Sequence, residues 1–170
     1  SRCSWKKPCS CEGVKVSGGT CAAKRAASRR IDASSAPYGS TVSSADYADD
    51  VLVLNFWYAG CGPCRAEAPT LESTFQEVEP AGAQFLGVNI YDGPETATAF
   101  EEKYGISYPS LLAKEDADLK LAFASWTPLQ SVPITLVLDA QGRVAARFIG
   151  QVESGSILKT IVNDVLAETT

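Results

Sequence analysis

The chain has 170 residues, a formal net charge of −5, six cysteines, and neither histidine nor methionine. Without histidine it supplies no Ser-His-Asp or Cys-His nucleophile pair, no imidazole base, no His-based zinc site and no His ligand for haem. A hydrophobic content of 45% fits one globular domain with a real core, and no run of about 18 apolar residues reads as a membrane span. The missing Met, even at position 1, reads as a processed or truncated chain, and no signal peptide is visible.

Charge and cysteine are unevenly spread. Residues 1–30 hold eight basic residues against Glu12, a net +7, leaving −12 for residues 31–170. Cys3, Cys9, Cys11 and Cys21 lie in the basic segment, while Cys61 and Cys64 lie beyond it. Residues 1–40 are rich in Ser, Gly, Ala and Lys/Arg with no apolar period. They read as a basic, Cys-rich arm with little regular structure, followed by a domain over 41–170. The arm's spacing fits no standard zinc pattern. Disulfides, free thiols, and a metal or second redox site all stay open for its four cysteines.

Residues 41–50 form a turn-rich lead-in. Val51 to Tyr58 is a nearly continuous apolar run, suited to a strand buried on both faces. Ala59-Gly60 breaks it, and Cys61-Gly62-Pro63-Cys64 opens a helix running to about Val78, with a kink expected at Pro69. A second strand spans 84–90. A helix covers 95–104 and ends at Gly105. Residues 107–112 are extended and 116–125 helical. Pro133–Leu138 is the third main strand, Asp139–Gly142 a hairpin turn, and 143–149 the returning strand. A terminal helix over 153–168 places Ile157, Ile161, Val162 and Val165 on one face. The order predicts an α/β sandwich whose first half is a βαβ unit.

The chemistry concentrates at Cys61-Gly62-Pro63-Cys64. Two intervening residues let one helical turn bring the sulfurs within bonding distance. Cys61 sits at the helix N-terminus, where unpaired N–H groups and the macrodipole favour a thiolate, the reactive form. Cys64, a turn further in, is shielded and resolves the mixed disulfide. A structural staple is the blander reading, but so short a loop constrains the unfolded chain little. Half a zinc site would need two more ligands, and none is close in sequence.

Asn55-Phe56-Trp57, followed by Cys61-Gly62-Pro63-Cys64-Arg65-Ala66-Glu67-Ala68-Pro69, resembles the thioredoxin superfamily. More narrowly it resembles the extracytoplasmic TlpA/ResA-type thiol-disulfide oxidoreductases, over roughly residues 38–168. The resemblance implies a three-layer α/β sandwich with a mixed sheet, helices on both faces, an N-terminal extension and an insert near 91–112. It also implies a cis Val132–Pro133 peptide facing the cysteines, with Val132 pairing to substrate backbone, and a Glu67 carboxylate that tunes the thiols. Read from the helix alone, Glu67 could equally complement the dipole. Two departures stand out. Gly60 replaces the Trp that most relatives carry before the first cysteine, and Asn55 replaces the buried acid of thioredoxins proper. With that acid missing, Glu67 and water are left as proton-transfer candidates. Phe56, Trp57 and Tyr58 read as core, Arg65 as solvated, and Tyr104 and Tyr108 as packing.

The expected function is thiol-disulfide exchange with protein substrates, as a reductant, by Cys61, Cys64 and Glu67 on a loop of Gly60, Gly62 and Pro63. No cofactor, metal or nucleic acid is expected, and the chain reads as a monomer. The resemblance implies an extracytoplasmic place, either envelope or secreted, with a membrane anchor before processing as one form. It also implies apocytochrome c as a substrate and a membrane thiol carrier as electron donor. The alternatives are a protein disulfide oxidant, a non-catalytic binding module and a peroxiredoxin-like thiol peroxidase. The last wants a Thr or Ser three residues before the nucleophile, where Tyr58 stands. A solvent-facing cysteine pair is out of place in a pure scaffold.

Overall fold

The computed structural model describes residues 32–36, 41–43, 46–124 and 131–169. Within them, the apolar run after residue 50 forms a strand, Val51–Trp57, buried along its whole length. In chain order the strands are β1 Asp32–Ala36, β2 Thr41–Ser43, β3 Val51–Trp57, β4 Ala83–Asn89, β5 Ser110–Leu112, β6 Ile134–Leu138 and β7 Val144–Ile149. They form one sheet in the order β2-β1-β5-β4-β3-β6-β7. β3, β4 and β5 run parallel, and β1 and β6 pair antiparallel to β5 and β3. The helices are α1 Gly62–Val78, α2 Pro94–Tyr104, α3 Ala117–Ala124 and α4 Gly155–Thr169.

Alternation along β3 divides the core into two layers. Leu52, Leu54 and Phe56 face one side with Leu119 and Phe123 of α3. Val51 and Val53 face the other with Leu71 and Val78 of α1 and Leu158, Val162 and Val165 of α4. Helices therefore cover both faces of a mixed sheet, the thioredoxin-like sandwich expected from the sequence. Phe56 is fully buried, and burying a side chain of that size contributes roughly 1.5–3 kcal/mol.

Three expectations are corrected. Asp32–Ala36 is a strand, although residues 1–40 were expected to hold little regular structure. Its backbone finds partners on both sides, pairing with β2 and with β5, and a local apolar period is not needed for that. The apolar stripe of α4 is Leu158, Val162 and Val165, while Ile157 is 56% exposed. The 4- and 3-residue steps from Leu158 stay on one face, and Ile157 falls off it. Strand β5 keeps only Ser110–Leu112 of the extended stretch 107–112. Pro69 lies inside α1, which continues to Val78 as predicted. The arm with Cys3, Cys9, Cys11 and Cys21 lies outside the described residues, as does the end of the helix expected at 125.

Candidate active site

β3 ends at Trp57 and α1 begins at Gly62, so the loop between them stands at the C-terminal end of the parallel strands. Cys61 is the N-cap of α1. Its backbone is extended, and its Sγ accepts the N–H of Cys64 at 3.2 Å. A Ser or Asp oxygen usually fills that place. The first turn contains no acid, so only the sulfur answers the positive end of the helix. Cys61 and Cys64 are joined as a disulfide, with Cα atoms 5.2 Å apart. Pro63 occupies a helix start, where its missing N–H costs nothing. Gly62 and Pro63 are exposed.

Cys64 is shielded as expected, at 2% exposure, but Cys61 is also covered, at 5%. This corrects the solvent-facing pair read from the sequence. Tyr58, Ala59 and Val132 pack against the cluster that holds both cysteines. The Val132–Pro133 peptide is cis. Pro133 is buried and Val132 partly exposed.

Glu67 is fully buried. Its Oε1 accepts from Asn55 Nδ2 at 2.8 Å, and its Oε2 accepts from the Val152 N–H at 2.7 Å. Asn55 also donates to Thr135 Oγ1 at 3.1 Å. Asn55 and Thr135 sit opposite each other on β3 and β6. The network thus ties α1 to the sheet and to the chain before α4. Burial pushes the Glu67 carboxyl above its usual value, and its two donors partly oppose that rise.

Residues missed in the sequence shape the rim. Asn89 closes β4 and accepts the N–H groups of Tyr91 and Asp92 through Oδ1. Asp92 Oδ2 in turn accepts the Ala59 N–H at 2.6 Å and Asn89 Nδ2 at 2.8 Å. The loop after β4 therefore holds the turn that carries Cys61. The sequence carries the signal as Asn-x-x-Asp, masked because Asn89 also falls within the strand predicted over 84–90. Tyr91 is 68% exposed and stacks on Tyr58 with ring centroids 5.5 Å apart. A Cβ on Gly60 would meet the Tyr58 ring at 3.2 Å. The rim that lacks an aromatic residue at position 60 gains one from this pair. Tyr58 is therefore a rim residue, while Phe56 and Trp57 are core, Trp57 lying 4.3 Å from Phe100 between ring centroids. Arg65 is exposed, and Tyr104 and Tyr108 pack against Phe100 and against Phe75 and Phe85.

A second buried acid was also missed. Glu101 of α2 is 6% exposed, and its Oε1 has no hydrogen-bond partner; nor does the fully buried Ser110 Oγ. Among the described residues, no cluster of three or more potential ligands gathers that could hold a metal.

A thioredoxin-like sheet with a Cys-Gly-Pro-Cys disulfide at a helix cap beside a cis proline defines the class of this protein. Comparisons with known proteins agree. A secreted thiol-disulfide isomerase from Corynebacterium glutamicum superposes with a TM-score of 0.74 at 28% identity, covering 82% of this chain and 84% of the other. The thiol:disulfide interchange protein HelX of Rhodobacter capsulatus is 32% identical over 111 residues, 65% of this chain. A thiol-disulfide oxidoreductase ResA from Geobacillus thermodenitrificans is 27% identical over 99 residues, 58% of this chain. The alignments span 58% and 54% of those two relatives. Residues 25–147 match the AhpC/TSA family, and the chain belongs to it.

Proposed function

We propose that this protein is a thiol-disulfide oxidoreductase that exchanges disulfides with protein substrates outside the cytoplasm, working as a reductant. One observation carries the reading: a cysteine pair whose first sulfur caps a helix that offers it no competing acid. In reduced protein the Cys61 thiolate attacks a substrate disulfide, forming a mixed disulfide and releasing one substrate thiolate. Cys64 then attacks Cys61 Sγ, closing the protein disulfide and releasing the second substrate sulfur. The protein pair loses two electrons and the substrate gains them. Glu67, buried three residues beyond Cys64 on α1, tunes the active-site thiols. Val132 and Pro133 receive the extended substrate segment. Gly60, Gly62 and Pro63 form the loop that presents Cys61.

The names of the relatives support the class, and the secretion of the Corynebacterium glutamicum isomerase supports the location. Among the described residues no helix is long and apolar enough to cross a membrane. The finer reading has an apocytochrome c as substrate and a membrane thiol carrier as electron donor. It rests on the resemblance to the TlpA/ResA type.

Insulin reduction tests the proposal. Cys61→Ser abolishes exchange, and Cys64→Ser traps the substrate as a mixed disulfide. Normal activity in Cys61→Ser would sink the reading. The reduction potential is expected near the thioredoxin value of about −270 mV, and a value near the oxidant end at about −120 mV would reverse the direction. Rapid peroxide consumption with sulfenate at Cys61 would favour the peroxidase alternative instead.

A further inference from the structure

Closing the protein disulfide requires Cys64 to lose a proton, and Cys64 is buried. A cavity of about 10 Å³ lies against it, walled by Asn55, Trp57, Cys64, Phe100, Tyr108 and Ser110 among others. That volume suits about one water molecule. Ser110 Oγ stands in the wall without a hydrogen-bond partner. The Glu101 carboxyl lies beside Ser110 closely enough to feel its hydroxyl dipole, yet Glu101 Oε1 completes no hydrogen bond. Orphaned buried groups are rare in folded proteins and call for a partner. Glycine at 87 leaves the hydroxyl its place beside the cavity: a Cβ there would fall 2.2 Å from Ser110 Oγ.

Glu67 is differently placed. Both its oxygens already accept hydrogen bonds, and its carboxyl does not line the cavity. We propose that Glu101 is the proton acceptor for Cys64, reached through one water in this cavity and the Ser110 hydroxyl. The inference rests on the thiol-exchange reading above and adds a residue to it. As the substrate docks on Cys61, the Cys64 thiol passes its proton to the water. The water passes one to Ser110 Oγ, and Ser110 passes its own to the Glu101 carboxylate. The Cys64 thiolate then forms the Cys61–Cys64 bond, and the Cys61–substrate bond breaks with its electron pair on the substrate sulfur. Water, Ser110 and Glu101 exchange protons only. The proton on Glu101 returns along the same path when the pair is reduced again.

Burial raises the Glu101 carboxyl above its ordinary value, which makes it a stronger base than an exposed glutamate. Other charges surround it. Burial pushes the Tyr108 hydroxyl up, and the charges of Glu72 and Glu67 of α1 and of Glu101 add to the rise. Glu102 and Lys103, its neighbours on α2, are exposed. The titratable residue of β1, which packs on α2, is Asp32.

The test mixes reduced full-length protein with a disulfide-linked peptide pair, quenches in acid, and follows the Cys61 site by mass spectrometry. The wild type, Glu101→Gln, Glu101→Met and Glu67→Gln are compared across pH. Both Glu101 variants should form the Cys61 mixed disulfide at the wild-type rate and resolve it on the order of 100-fold more slowly, the lower end of what a positioned base contributes. They should also lose the wild-type inflection in the pH profile of that step. Glu101→Met removes the buried acid altogether, so it serves if the glutamine variant folds poorly. Wild-type resolution and an unchanged profile in a folded Glu101 variant would overturn the proposal. So would a resolution defect confined to Glu67→Gln. If the wild type itself forms no mixed disulfide at Cys61, the exchange reading fails instead.

Discussion

At the scale of single residues, the active site divides into what is local and what is not. Cys61 and Cys64 could be read directly, because their spacing and the strand–turn–helix context lie within one stretch of chain. The partners of Glu67 could not. Val152 is 85 residues away and Asn55 is 12, so only the fold brings those donors to one carboxylate. Glu101 was hidden for another reason. A glutamate in a helix ordinarily reads as solvated, and nothing nearby marks this one as facing inward. The Glu67 network has a measurable cost of removal. Glu67→Ala strands the Val152 N–H in the core, worth about 1–3 kcal/mol when unpaired, while Asn55 Nδ2 keeps Thr135 Oγ1. Urea unfolding is expected to show a loss of at least about 1–3 kcal/mol, and a loss below about 1 kcal/mol would mean the network contributes little.

Elements were legible where their periods were strong. The buried strand, α1 and the β6–β7 hairpin follow the apolar pattern and the turn residues. The short β1 and β2 did not announce themselves, since their stability comes from pairing with β5 and each other rather than from composition. β4 and β5 make an unusually close pair. Gly87 is opposite Ser110 in the parallel ladder, and the absent side chain lets the Ser110 hydroxyl and the Trp57 ring nitrogen share its place. A Cβ there would come within 2.9 Å of Trp57 Nε1 as well. Gly87→Ala is therefore predicted to overpack this corner and cost about 1–3 kcal/mol. Thermal unfolding measures the loss, and altered Trp fluorescence locates it. An unchanged melting temperature would show that the pair yields without strain.

For the molecule as a whole, two buried carboxyls set a pH dependence. Glu67 and Glu101 both have folded values raised above the usual 4.5, chiefly by burial. The folded protein therefore holds these protons to higher pH than the unfolded chain does. Their contribution is fully present below about 4.5 and is lost as pH rises through the folded values. Urea midpoints measured from pH 4.5 to neutrality should fall more steeply for the wild type than for Glu101→Met. Parallel curves would rule out Glu101 as a source. The direction of β1 carries a different consequence. It runs antiparallel to β5, so Asp32 sits at the end of the sheet where β3, β4 and β5 finish and where Cys61 is presented. Any attachment made through the residues before 32 pulls on that same end. The chain therefore enters the described sheet at the end where its reactive sulfur is presented, and a contact made there by residues just before Asp32 would lie on the same side as a substrate.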